Sequence, residues 1–337
     1  SDYGWKDIYD LIYRLDKEPD SAGDILNIDR TLWMHAFNYT LLNLDSYIGY
    51  SQNYYMYRDD NGQFNPIIWD LNMSFGSFRE SDGSTNFRGL SIAKMKTLDP
   101  LEHLTYSVTP RPLMTGLFKN DTWRRMYLAH IRTLLNENIT NNGYYQRAQE
   151  LQSMIDGYVR NDPNKFYSYA DFKNNLDSTV GGTGSMILYP GLKDLMENRA
   201  AYLATYPGIT GEPSISDVSL LPDLPEQGGE AWITARITGA GSALLAYRYS
   251  TRGIFRETFL YDDGQHNDGD AGDGIYGARI SDIGHTIQYY LYAENDSAGI
   301  FSPEGAGYEY YSAQPVTMQG DLVINEVKAS ADPGKSL

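Results

Sequence analysis

Asp45, Asn53 and Asp70 are three oxygen-bearing side chains of the types that orient a hydroxyl and hold a hard divalent cation. Two of them bracket the stretch NYYMYRDDNGQFNPIIWDLN, residues 53–72, which is rich in apolar and aromatic residues and carries a central Asn61-Gly62. Taking Asn61-Gly62 as the middle of a type I′ turn predicts a β-hairpin and pairs Asp60 with Gln63, Tyr57 with Pro66, Tyr55 with Ile68 and Asn53 with Asp70. Directly opposed Cβ atoms lie about 4.5 to 5.5 Å apart, so the two polar residues are expected to meet at the hairpin's open end. Tyr54 and Met56 share the other face with Ile67 and Trp69, which predicts a hairpin buried on both sides. A buried carboxylate without a partner costs several kcal/mol, and Asn53 beside Asp70 favours a cation as that partner. Purely structural roles stand beside this reading: Asp70 accepting backbone N–H groups at a strand end, Asn53 in a turn or cap, Asp45 in a loop or cap.

The elements that must position these residues are a Leu-rich helix, the loop NLDSYIGYSQ carrying Asp45, the hairpin, and Asp70 at its exit. That order matches the catalytic lobe of protein kinases, where the first Asp orients the attacking hydroxyl and the Asn and second Asp hold magnesium against the nucleotide phosphates. The interval from Asp45 to Asn53 is longer than the kinase pattern, and neither a His-Arg before Asp45 nor a Phe-Gly directly after Asp70 is present.

The stretch NYYMYRDDNGQFNPIIWDLNMSFG resembles the core of the CotH family, the spore-coat-protein-H type of atypical kinase, whose pattern reads roughly N-Y-Y-L-Y-x-D and then W-D-L-D-x-S-F-G. The likeness runs back over NLDSY and forward through RPLMTGLFKNDTWRRMY to ENRAAYL, covering approximately residues 24 to 206. It implies an ATP- and Mg-dependent protein kinase with a divergent kinase fold, Asp45 as catalytic carboxylate, Asn53 as a metal ligand and Asp70 as the principal magnesium ligand. Asn72 stands where the family carries a second acidic residue, which removes a charge beside the metal. The phosphate-binding lysine of kinases has no counterpart, because Lys6 lies in a helical pattern and Lys17 in a loop. The expectation is therefore a fragment without its N-terminal lobe and inactive alone. The alternative is a non-catalytic extracellular binding or scaffold protein built on a degenerate kinase fold.

Length and composition bound the rest. At 337 residues about two domains are expected, and 41% apolar with 21% charged residues is ordinary for globular chains. A net charge of -17 opposes non-specific binding to nucleic acid or anionic membrane. Zero cysteines exclude disulfides and thiolate metal sites, and no run reaches the roughly 20 apolar residues of a membrane span.

The fold expected is α+β and multidomain. Trp5, Ile8, Tyr9, Ile12 and Leu15 fall on one face of a first helix; a second starts at an Asp29 N-cap. A long loop over 77–109, helices over 111–139 and 144–162, and a closing helix that stops at Pro207 complete a mostly helical kinase-like domain, 1–206. Residues 207–217 read as a linker. Short alternating runs over 218–316 predict an all-β sandwich, which resembles an Ig-like module, and 320–337 resembles the start of a lamin-tail-like domain. These attachments imply export to the periplasm or surface of a bacterium, with a protein substrate or a cell-surface protein or glycan as partner.

A second acidic group lies in YDDGQHNDGDAGDGIYG, where Asp262, Asp263, Asp268, Asp270 and Asp273 sit among glycines. Asp263, Asp268, Asp270 and Asp273 are candidate calcium ligands, although the spacing misses an EF-hand by one residue and has no bidentate Glu. A solvated Asp-Gly hairpin loop is the equal alternative. His266 and His285 show no zinc spacing, and Gly181, Gly182 and Gly184 lack the Lys-Ser or Lys-Thr of a phosphate loop.

Overall fold

The computed structural model describes residues 2–80, 89–105, 111–181 and 187–316. The region resembling a lamin-tail start, Gly182, Gly184 and parts of the 77–109 segment lie outside these residues.

Helix α1 (Asp2–Lys17) forms where the apolar spacing predicts, but only Leu11 and Leu15 are buried; Trp5, Ile8, Tyr9 and Ile12 are exposed. The inner end of the helix lies against Gly116, where a Cβ would come within 2.5 Å of the Leu15 carbonyl. Lys17 is the last residue of this helix rather than a loop residue, and it pairs with Asp16 at 2.9 Å.

Helix α2 (Ile28–Thr40) is capped by Asn27, whose Oδ1 accepts the Arg30 N–H at 3.0 Å, and not by Asp29, which is the second residue of its first turn. Leu32, Met34, Ala36 and Tyr39 are all buried, so α2 runs through the middle of the helical region. The 111–139 segment is not one helix: a turn of helix at Pro112–Thr115 and a 3₁₀ turn at Leu117–Lys119 precede the helix Asp121–Leu134, which Asn120 caps. Gly143–Asn161 is helical as predicted, yet none of its residues is buried. The closing helix is Leu192–Leu203, and the 77–109 segment contains short helices at Ile92–Lys96 and Glu102–Thr105.

Strands β1 (Tyr54–Arg58) and β2 (Phe64–Ile68) form the hairpin. Its register differs from the prediction by one residue: Tyr54 pairs with Ile68, Met56 with Pro66 and Tyr57 with Asn65. The cause is the turn. Asp59 accepts the N–H groups of Asn61 and Gln63 on Oδ1, each at 3.0 Å, and Gly62 alone takes a positive φ of 86°, so the loop spends three residues rather than two. A one-residue slip exchanges faces on one strand. Tyr54, Met56 and Ile68 pack on the core, while Tyr55, Tyr57, Ile67 and Trp69 are exposed, which corrects the expectation of a hairpin buried on both sides.

Eight antiparallel strands follow: β3 (Ser214–Leu221), β4 (Glu230–Thr238), β5 (Ser242–Arg248), β6 (Arg256–Phe259), β7 (Ile275–Ser281), β8 (Ile287–Glu294), β9 (Gly299–Ser302) and β10 (Tyr311–Ala313). One sheet has the order β3-β4-β7; the other runs β10-β8-β5-β6, with β9 also beside β8. Ile233, Ala235 and Ile280 of the first sheet share a core with Leu245, Leu291 and Ala293 of the second. Strand β8 is buried from Ile287 through Ala293 because it stands between two cores. Tyr289, Leu291 and Ala293 face the sandwich interior, and Tyr290 and Tyr292 join the helical core together with Phe301 and Ala306.

The segment read as a linker is anchored. Strand β3 already begins at Ser214, Ile209 is buried, and its carbonyl accepts Arg132 Nη1 at 2.9 Å. Arg125 and Glu294 add a two-pronged ion pair across the same junction, with N–O distances of 2.8 Å. No helix among the described residues is long and apolar enough to cross a membrane.

Candidate functional site

The loop after α2 is fixed before it reaches Asp45. Asn43 donates to Asn38 Oδ1 at 2.9 Å, the Ser46 hydroxyl donates to the Asn43 carbonyl at 2.6 Å, and Leu44, Tyr47 and Ile48 are buried. A tight approach follows within the short helix Tyr47–Tyr50, where a Cβ on Gly49 would stand 1.8 Å from the Leu44 carbonyl. The Gly49 carbonyl accepts from the buried Arg111 guanidinium.

Asn53 donates its side-chain Nδ2 to the Asp45 backbone carbonyl at 2.8 Å. That bond uses the amide nitrogen and leaves Oδ1 as an unspent oxygen. Gln52 donates to the Asp45 carboxylate, a contact for which the sequence carries no signal beyond adjacency to Asn53. Asn53 stands opposite Trp69 rather than Asp70: the Trp69 N–H reaches the Asn53 carbonyl at 3.3 Å, and Asp70 is the next residue along. Past Asp70 the chain returns to the start of the loop, with Phe75 N–H on the Leu41 carbonyl at 2.8 Å and Gly76 N–H on the Leu42 carbonyl at 3.2 Å. Two independent sets of bonds thus tie the Asp45 loop, the mouth of the hairpin and the Asp70 segment together.

Asp70 is exposed, not buried, and among the described residues its carboxylate has no hydrogen-bond or ion-pair partner. Asn72 is exposed in the 3₁₀ turn Leu71–Met73. Backbone strain concentrates here. Of the nine non-glycine residues with positive φ among the described residues, five (Leu42, Ser51, Asn53, Asp70 and Phe75) lie in this one region. Such conformations cost on the order of 1 kcal/mol or more each and collect at sites that need a fixed geometry.

An unspent amide oxygen on Asn53 and an unpaired carboxylate on Asp70, both donor types that hard cations take, lie at the same end of the hairpin. Two lysines precede Asp45; Lys6 is exposed on α1, Lys17 is paired with Asp16, and neither is on a strand.

The second acidic group folds differently from a cage. Asp268 is fully buried and accepts the backbone N–H groups of Asp263, Gly264 and His266 at 2.5, 2.8 and 2.6 Å. Burial alone would push its carboxyl up; the backbone donors outweigh this and hold it below the usual carboxylate range. Asp273 accepts from Ile275 and Asp270 N–H, and Asp262, which was not among the candidate ligands, accepts from Gly272 and Gly274. Asp263, His266 and Asp268 offer ligand atoms within 4.8 Å of one another, and His266 Nδ1 lies 2.8 Å from Asp263 Oδ1.

Comparison with known proteins bears on the helical region. A solved Pseudomonas fluorescens alkylpurine DNA glycosylase AlkC, bound to DNA containing an abasic site analog, is similar at 11% identity with a TM-score of 0.18; the match covers 56% of this chain and spans about half, 51%, of that one. A likeness that weak carries no argument. No curated protein matches the sequence significantly. The family model described as CotH kinase protein matches residues 1–203, a span that holds Asp45, Asn53, Asp70 and both sets of tethering bonds. With that match covering more than half of its length, the chain belongs to the CotH kinase protein family.

Proposed function

We propose that the helical region takes part in ATP- and Mg-dependent transfer of a phosphoryl group to a protein hydroxyl, with Asp45 orienting the acceptor and Asn53 and Asp70 holding the metal. The observation that carries this reading is the Asn53 amide fixed on the Asp45 carbonyl, which turns one oxygen of Asn53 free beside the unpaired Asp70. Bound magnesium would supply charge neutralisation for the transferring phosphates. The residues themselves would do the rest: Asp45 would accept a hydrogen bond from the attacking hydroxyl, and the left-handed backbone at Asn53 and Asp70 supports a geometry fixed before any ligand arrives.

Neither Lys6 nor Lys17 stands as a phosphate-binding strand lysine, so the proposal assigns this chain the metal half of the reaction and expects no turnover from it alone. Periplasmic or cell-surface residence in a bacterium and an Ig-like character of the sandwich belong to the same proposal, on the strength of the Cys-free sequence and the two-sheet core. A second reading is favoured by one observation, the exposed aromatic strip Tyr55, Tyr57, Ile67 and Trp69, which suits a non-catalytic scaffold presenting a protein- or glycan-binding face.

Calorimetry separates the two. ATP titrated with and without magnesium is expected to bind only with the metal, and Asp70→Ala is expected to abolish the signal. Nucleotide binding that is absent, or that survives Asp70→Ala, rules out the enzymatic reading.

A further inference from the structure

A cavity of about 840 Å³ opens between the helical region and the sandwich, bounded by the first turn of α2, the turn of the hairpin and strands β6 and β8. It accommodates a small organic ligand by size. Asp29 from α2, Glu257 from β6 and Tyr290 from β8 all line it. Glu257 is exposed to solvent at the cavity wall; crowding by the surrounding protein and then Asp29 push its carboxyl up, and burial followed by Asp29 and Glu257 pushes the Tyr290 phenol up.

Two of the three arginines in the lining are engaged elsewhere. Arg30 Nε donates to the Pro66 carbonyl at 3.1 Å, and Arg248 Nε donates to Gln288 at 2.8 Å while its guanidinium covers the Phe255 ring at 4.2 Å. Arg252 is exposed, and among the described residues no ion pair joins any arginine to Asp29 or Glu257. One Asp29 oxygen is held by His130 at 2.9 Å, and Glu257 has no hydrogen-bond partner among the described residues. Glu257, without a partner, and the second oxygen of Asp29 repel anions and give a neutral sugar no use for their charge. An ammonium gains on both counts, from the carboxylates and from the aromatic lining that includes Trp123 and Tyr308.

We propose that this cavity is a binding site for an organic cation, an alkylammonium group of an oligoamine, seated between the carboxylates of Asp29 and Glu257. The aromatic lining and the volume favour such a ligand over a metal ion, which would want a compact shell of oxygens.

The test titrates spermidine into the chain at physiological ionic strength. Because a protein of net charge -17 attracts polycations everywhere, two equal changes of charge decide the matter. Glu257→Gln is expected to weaken binding by about tenfold or more, as loss of a charge-assisted contact does, while Asp270→Asn on the distant acidic loop leaves it unaltered. Equal affinity in Glu257→Gln, an equal loss in Asp270→Asn, or no saturable binding at millimolar spermidine overturns the proposal. Should Glu257→Gln fail to fold, magnetisation transfer between spermidine and the Trp123 and Tyr290 rings of the unaltered chain decides instead: transfer supports the site and its absence refutes it.

Discussion

The Asn53 side-chain amide is bonded to the Asp45 backbone carbonyl across 2.8 Å, so that two residues eight apart in sequence behave as one unit. Asn53→Ala removes that bond, worth about 1 kcal/mol, and also places alanine at a φ of 53° that it tolerates poorly. Asn53→Gly removes the bond but accepts the conformation. Both are expected to lose magnesium-dependent nucleotide binding, with Asn53→Ala unfolding at lower denaturant than Asn53→Gly; calorimetry and urea melts read the two effects separately.

Asp70 carries the opposite trade. At φ 57° and without a partner among the described residues, its side chain costs stability and contributes none. Asp70→Gly is expected to raise stability by about 1 kcal/mol while abolishing metal-dependent ligand binding. A destabilised Asp70→Gly in thermal melts would mean that the carboxylate has a structural role.

Glu294 joins the sandwich to the helical region through Arg125, Thr122 and the Tyr292 hydroxyl. Burial raises its carboxyl, and the hydrogen bonds from Arg125, Tyr292 and Thr122 more than reverse this, leaving it below its ordinary 4.5. A lowered carboxylate contributes stability that is complete above 4.5 and disappears as pH falls through the folded value. Arg125→Met, which strands the half-buried charge, is expected to cost about 2 to 3 kcal/mol at pH 7, somewhat less than breaking a fully buried pair, with the deficit shrinking in acid. Urea unfolding at pH 7 and pH 3 measures it.

Glu257 has the reverse sign. Its side chain is exposed to solvent, but crowding at the cavity wall and then Asp29 raise its carboxyl above 4.5, so its ionisation weakens the fold slightly, in full above the folded value and not at all below 4.5. Glu257→Gln is expected to be the more stable protein at pH 7 in the absence of amines, and the advantage is expected to close below pH 4.5. Equal melting of the two at neutral pH would show that the cavity solvates the charge.

The acidic loop closes on its own backbone donors. Asp268→Ala leaves three N–H groups without their acceptor and is expected to cost about 2 to 3 kcal/mol. The melting temperature is expected to be the same in EGTA and in calcium. A calcium-dependent rise that Asp263→Asn or Asp268→Asn removes would instead assign Asp263, Asp268, Asp270 and Asp273 as ligands.

Strands β4, β5, β7 and β8 were legible because alternation or an unbroken apolar run each has one physical meaning in a sheet. Strand β9, Gly-Ile-Phe-Ser, was too short to carry a pattern. The hairpin itself was legible and its register was not, because Asp59 competes with Asn61-Gly62 for control of the turn and adds one residue to the loop. Types and order of Asp45, Asn53 and Asp70 could be read; their tethering could not, since it depends on Phe75 and Gly76 returning to Leu41 and Leu42. The α1 face failed for a different reason: periodicity reports that a face is apolar, and Trp5, Ile8, Tyr9 and Ile12 show that it does not report what covers it.

Strand β8 gives alternate tyrosines to each side, and Tyr290 and Tyr292 complete the packing of the helices. A shortened version ending near Tyr206 would therefore leave those helices with an oily scar open to water, and each buried aromatic withdrawn forfeits roughly 1.5 to 3 kcal/mol. Anyone preparing the kinase-like portion by itself should expect an aggregating product, and should keep the polypeptide whole at least through Val316, which still bridges back to Glu226.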